Sequence, residues 1–483
     1  MPVLFRHLPK EELGIWLLLG QSWAALGILD LGFGPTLTRR IAFAKGKSGS
    51  DPNASLTDDT LHDIASLVAT GRRVYQVLAL LAFIVAFGSG FFYLRTLELH
   101  SLSLHTVWLA WGVICLSQSI IVLGNIWDCL LQGVGYVGWD AVLGSFINAL
   151  VLSVQITVVL CGGGLLLLAT VAAVGAFFQR FVLRRFARSK RPELFSRVGT
   201  PDFAAVRSMA SVSLHSWLTS LGSALVLYTD QIIISSLQGV TLVPEYRAAF
   251  VIVHNLTIVA VTFGMASGVF VSHLWQAGEI SQVHRLLVRN VRLGWIVMLV
   301  GAAVLIFAGE SLFDVWLGKG HFIGFPILMV FLFSESMEAQ SYVIATTSRA
   351  TEDEPFAVSA ILAGVVKLGL SLWLATRFGL LGVALGTAIA LLFTNHWFMT
   401  YRGLKRLRFT LGEYFSRIII PCASVFAVSI AIFSVIRLFS QRLSALETLL
   451  TYGAGGSVLF TVSCWILILE PGQRSQIRHR LGF

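Results

Sequence analysis

Thirteen apolar runs, each long enough to cross a bilayer, mark this chain. They fall near 13–37, 74–97, 106–131, 138–160, 164–183, 206–236, 246–273, 291–309, 323–346, 356–375, 379–400, 415–436 and 446–469. A hydrocarbon layer about 30 Å thick takes about 20 helical residues, and it holds no water to satisfy an open backbone. Each run is therefore expected to be a helix. Composition agrees: 56% of the residues are hydrophobic, 12% are charged and the mean hydropathy is +0.80. A soluble core could not hide that much apolar surface. The expected fold class is all-α, a polytopic transmembrane bundle. The cysteines (Cys115, Cys129, Cys161, Cys422, Cys464) lie in apolar segments with no C-x-x-C spacing, so they suggest neither a disulfide framework nor a zinc site. The start, MPVLFRHLPKEELGIW, lacks the ordered regions of a signal peptide.

Charge alternates from loop to loop. Most of the Lys and Arg residues fall in one set: Arg39, Arg40, Lys45, Lys47, Arg72 and Arg73, then the cluster from Arg180 to Arg207, then Arg285 to Arg292, Arg349, Arg402 to Arg417 and Arg474 to Arg480. That bias marks the cytoplasmic side and puts the C-terminus inside. The net charge of +10 then reflects membrane topology and not nucleic-acid binding. Outer loops such as CGGG at 161–164 and TRFG at 376–379 are too short to carry chemistry, and no catalytic constellation is legible. GKS at 46–48 lacks the preceding glycine of a P-loop and follows no strand.

An internal repeat runs at an offset of 232 residues: EELGIW through AKGKSG aligns with PEYRAAF through QAGEIS, pairing Gly14 with Tyr246 and Gly46 with Gly278. Each copy leads into an amphipathic stretch, SLTDDTLHDIASLV or ISQVHRLLVRNV, that fits a short interfacial helix. GLLLLATVAAVGAF from Gly164 likewise resembles GLLGVALGTAIALLF from Gly379. Two pseudo-symmetric lobes of about six helices follow, with two helices appended: an N-lobe at 1–190, a C-lobe at 191–410 and an extension at 411–483. The second copy has a helix, 206–236, with no counterpart ahead of the first, so the N-lobe is expected to lack its first helix.

LPKEELGIW…LDLGFGPTLTRRIAFAKG, YTDQIIISSLQGVTLVPEY and GLLGVALGTA resemble the polysaccharide transporter branch of the MOP exporter superfamily, which includes Wzx-type O-antigen flippases, with the lipid II flippase and the MATE drug exporters as cousins. The resemblance implies a non-enzymatic flippase of the bacterial inner membrane. It would carry undecaprenyl-pyrophosphate-linked oligosaccharide to the periplasmic leaflet by alternating access, with H+ or Na+ as the coupling ion and no cofactor. Implied partners are the lipid-linked substrate, membrane lipids, and the polysaccharide polymerase and chain-length machinery. The alternatives are a MATE-like drug or cation antiporter, a membrane enzyme of the same pathway, and a degenerate accessory protein.

An ionisable side chain at bilayer depth costs about 2.5–3.5 kcal/mol on insertion scales, so each should face protein or a wet cavity. Asp30 and Asp230 match aspartates that the resemblance implies; each has a structural hydrogen bond as its rival role. Arg39 and Arg40 fit either interface anchoring or a lipid pyrophosphate. Asp128, His254 and Asn255 complete the cavity candidates, with Asp140, His215 and His396 as further intramembrane polar groups. Glu335 and Glu338 share one helix face. Lys367, on the next helix, is expected to pair with one and leave the other for the coupling ion.

Overall fold

The computed structural model describes residues 2–26, 30, 32–48, 53, 55–196, 199–267, 271, 274–275, 278–351, 357–440, 443–469 and 474. Side chains are left out at 21–26, 35, 39, most of 203–220, 266 and 357. The described residues are mostly helical, and none of them forms a strand. They form α1 (Pro2–His7), α2 (Lys10–Leu26), α3 (Phe33–Gly46), α4 (Asp58–Leu94), α5 (Leu104–Val134), α6 (Val137–Leu160), α7 (Leu165–Lys190), α8 (Glu193–Ser196) and α9 (Phe203–Leu237). After a 3-10 turn at Val240–Leu242 come α10 (Val243–Ala266), α11 (Ile280–Trp316), α12 (Phe325–Arg349), α13 (Ala357–Leu391), α14 (Trp397–Arg406), α15 (Leu411–Tyr414), α16 (Ile420–Phe439) and α17 (Ala445–Leu467).

Ten helical stretches among the described residues are long and apolar enough to cross a membrane. This makes the chain a multi-pass membrane protein. The count differs from the thirteen runs at three places. The run 13–37 breaks between α2 and α3, across residues outside the described set. The run 206–236 contributes only the shorter apolar helix Leu221–Leu237. The runs 356–375 and 379–400 merge into one stretch, Val358–Arg406, interrupted by non-helical backbone at Gly379, φ 56°. That left-handed angle suits glycine, which has no Cβ to collide with the carbonyl.

The repeat has a clear structural echo. Helices α4 and α11 are 37 residues long, about 55 Å at 1.5 Å per residue, well beyond the hydrocarbon thickness. The amphipathic stretches expected as separate interfacial helices are instead the first turns of these two rods. Thr57 caps α4 through its side chain, and Asp58 and Asp59 sit in its first turn, where the dipole favours them.

The chain divides into two compact units, Val3–Pro244 and Glu245–Phe483. The expected lobe boundary at 190/191 follows a different criterion, the repeat; α9 lies in the first unit, packed on α2 and α3. In the first unit α5 packs against α4, α3 and α7, around Leu37, Ile41, Tyr75, Ile126 and Leu130. In the second, α11 packs against α12, α16 and α17, and α12 also against α13 and α14. Small residues allow these close approaches. A Cβ on Gly90 would lie 2.1 Å from the Trp111 ring, and one on Gly124 would lie 2.4 Å from Cδ of Arg180.

Candidate functional site

Each unit holds its own intramembrane polar cluster. In the first, α2 and α3 meet at a break where Gly32 takes a left-handed φ of 67°. Asp30 stands in that break. One carboxylate oxygen accepts the Gly34 backbone N–H at 3.0 Å, and the Tyr75 hydroxyl and Asn125 approach the same group. Its other oxygen is buried without a hydrogen-bond partner. Tyr75 reaches on to the Cys129 thiol at 3.6 Å, which in turn lies 3.6 Å from the Gly34 carbonyl.

One turn along α5 the cluster becomes ionic. The Arg180 guanidinium forms a close ion pair with Asp128, and its other nitrogen donates to Oδ1 of Asn125 at 3.1 Å. The local sequence explains this geometry. Gly124 and Asp128 are four residues apart on one face of α5, so the aliphatic stem of Arg180 lies across the glycine and delivers its head to the aspartate. Arg180, grouped at the sequence level with the cytoplasmic basic loops, is thus a buried pairing residue within α7. Next to it Arg184 covers the Trp127 ring, which stacks on Phe195.

In the second unit, Glu335 and Glu338 lie one turn apart on α12, as their spacing requires. Their partners differ from expectation. Glu335 bonds Nδ1 of His254 on α10 at 3.0 Å, and Glu338 bonds Nε2 of His396 at 2.9 Å. At each carboxylate the hydrogen-bond partner is a histidine; Lys367 is fully buried on α13 and has a contact of its own. His396 closes a π-helical turn, Leu392–His396, that re-aims side chains by widening the helix. The His254 ring stacks on Phe250 at 5.1 Å, under the cation of Arg247. A second polar layer follows on α12: Gln340 accepts from the Trp295 indole at 3.1 Å and from the Tyr414 hydroxyl. Among the described residues no group of three or more His, Cys, Asp or Glu could hold a metal ion.

The remaining candidates are placed as follows. Asp230 is half-buried on α9, Asn255 is exposed on α10, and Arg40 is exposed on α3. The Asp140 carboxylate accepts from Gln132 at 2.8 Å. The side chains of Arg39 and His215 lie outside the described residues.

The start of α2 carries a pair the sequence reading did not single out. Glu11 accepts the backbone N–H groups of His100 and Ser101, both at 2.8 Å, and the Ser101 hydroxyl at 2.6 Å; Glu12 accepts the Leu165 N–H at 2.5 Å. The EE pair therefore ties the α4–α5 loop to the start of α7. Burial raises the Glu11 pKa, but the Ser101 hydroxyl and the two backbone donors outweigh it and hold the carboxyl below its ordinary value. In the second unit, Glu245 and His321 pair at 3.3 Å near the start of α10.

Comparison with known proteins decides the architecture. A lipid II flippase, MurJ, in an inward-closed conformation superposes with a TM-score of 0.73 over 100% of this chain and 96% of its own, at 12% identity. The two chains share one fold. An inward-facing multidrug MATE transporter of the MOP superfamily aligns with a TM-score of 0.68 over 84% of this chain and 93% of its own, at 13% identity. A MOP transporter from Pyrococcus furiosus aligns with a TM-score of 0.51 over 84% of this chain and 90% of its own, at 14% identity. No family model matches the sequence. No curated protein matches it either.

Proposed function

We propose that this protein is a MOP-type flippase that moves undecaprenyl-pyrophosphate-linked oligosaccharide from the cytoplasmic to the periplasmic leaflet by alternating access. The observation that carries the reading is coverage. The likeness to a lipid flippase spans the whole chain, whereas the MATE likeness spans 84% of it. A MATE-like antiporter is the second reading, favoured by the same MATE superposition. In this proposal the protein sits in the inner membrane with its C-terminus cytoplasmic, as the basic-loop bias argues. The pathway's polymerase and chain-length machinery are its partners.

The residue roles in this proposal are as follows. Arg39 and Arg40 meet the incoming pyrophosphate, for which a bidentate guanidinium is suited. Asp30, with one unpartnered oxygen, and the exposed Asn255 contact sugar hydroxyls; Asp230 serves in gating. Asp128 is held by Arg180, so its role is to brace the first unit. Glu335 and Glu338 couple transport to the ion, and the fully buried Lys367 supports that unit. The test is to delete the gene and assay the leaflet distribution of lipid-linked repeat units. Accumulation on the cytoplasmic side is expected. Unchanged distribution with intact polysaccharide, or a deletion phenotype of drug sensitivity alone, rejects the flippase reading.

A further inference from the structure

The four titratable groups around α12 form a short chain: His254, Glu335, Glu338 and His396. A carboxylate only accepts hydrogen bonds when ionised, so the imidazole nitrogen facing it must carry the hydrogen. That assigns the N–H to Nδ1 in His254 and to Nε2 in His396. The opposite nitrogen of each ring is then a lone pair. In His396 that atom, Nδ1, is buried and has no hydrogen-bond partner, and the neighbouring Asn395 Oδ1 is likewise unpartnered. The His254 ring is 35% exposed and the His396 ring 3%.

Charge counting separates the states. With both rings neutral, the four groups carry two negative charges at membrane depth. With one proton on each lone pair, they form two imidazolium–carboxylate pairs and sum to zero. Desolvation penalises the uncompensated form strongly and the paired form much less. Other ionisable groups on the packed helices add to the local field without forming either pair. The stretch of α11 facing α12, residues 293–309, has none. On α13, Lys367 is fully buried with a contact of its own, and Arg377 lies toward the Gly379 break. On α10, Arg247 covers Phe250 and Glu245 pairs with His321. On α14, Tyr401, Arg402, Lys405 and Arg406 lie beyond His396 in sequence, with Arg406 bonded to Thr351. On α12 itself Arg349 adds its field at Glu338.

We propose that His254 and His396 are the proton-binding groups of the second unit, so that it loads two protons together and does not take sodium. The physical reason is occupancy. An imidazole nitrogen already sits at 2.9–3.0 Å from each carboxylate, where a bound cation would lie, and the protonated ring repels one. This deepens the ion-coupling part of the proposed function and rests on that reading for its link to transport.

The test is potentiometric titration of the full-length protein in detergent across pH 8 to 5, the window in which histidine titrates. Wild type is expected to take up two more protons than the His254→Gln/His396→Gln variant, in KCl and in equimolar NaCl alike. A difference of one or none overturns the assignment. So does release of those protons from wild type when NaCl replaces KCl, a measurement that needs no variant to fold. Flipping of a fluorescent polyprenyl-pyrophosphate oligosaccharide in proteoliposomes separates the two claims. Wild type that takes up the two protons but flips nothing under any gradient removes the proposed function and leaves the proton site standing. Flipping that is driven by a sodium gradient and indifferent to pH removes the proton site and leaves the flippase.

Discussion

The buried carboxylate of the first unit, Asp128, is held by a guanidinium; the two on α12 are held by imidazoles. Each cluster is built from residues on at least two packed helices. They differ in whether the cation can be removed. Arginine stays protonated at any pH a cell meets, so Asp128 and Arg180 are a fixed pair. Histidine has an ordinary pKa near neutrality, so under the proton-binding proposal above the α12 cluster has two charge states. The loop ties show the same contrast. Glu11 is held by backbone N–H groups and a hydroxyl, whereas Glu245 faces His321. The two units thus hold their acids with different partners.

The comparison breaks most sharply at Arg180. Arg180→Met leaves Asp128 without its charged hydrogen-bond partner, and a loss of about 1.5–3 kcal/mol is expected, read as a fall in the midpoint of thermal inactivation in detergent. Adding Asp128→Asn should recover more than half of that loss; an additive double variant would show that the pair is not coupled. Next comes Gly124→Ala. Its methyl would meet the Arg180 stem at 2.4 Å and push the guanidinium off Asp128, for about 1–3 kcal/mol by the same assay. Glu335→Gln and Glu338→Gln should invert that pattern, with ion-driven transport lost in at least one variant. Each amide still bonds its histidine, so stability should change by no more than about 1 kcal/mol. Full transport in both variants would remove α12 from the coupling site.

Tyr414→Phe sharpens the comparison by removing a neutral hydrogen bond to Gln340, at a cost of about 1 kcal/mol with no change in pH dependence. The smallest effect is at Glu11. Because its folded pKa lies below its ordinary value, its stabilisation is present above that value and is lost as pH falls through the folded pKa. The gap between wild type and Glu11→Gln should therefore close on acidification below about pH 4.5, the ordinary value. A gap unchanged at low pH would show that the carboxylate charge plays no part in the loop tie.

The helical class and the membrane setting were legible in the sequence because each rests on local pattern. Apolar run length follows from bilayer thickness. The shared face of Glu335 and Glu338 also follows from spacing alone. Boundaries were less legible. The amphipathic stretches that open α4 and α11 carry no stop signal, so interfacial helix and rod extension read alike from composition.

What pairs with what was settled by tertiary structure. Asp128 and Arg180 are 52 positions apart, Glu338 and His396 are 58 apart, and His254 and Glu335 are 81 apart. No periodicity links such positions. Lys367 was as plausible a partner for α12 as either histidine, and only the packing of α10 and the π-helical turn against α12 chose between them. The sequence by itself determined that the chain spans a membrane with acids and bases at depth, since hydropathy acts residue by residue. The three-dimensional packing decided which acid meets which base, because that depends on the distance between groups brought together from separate helices.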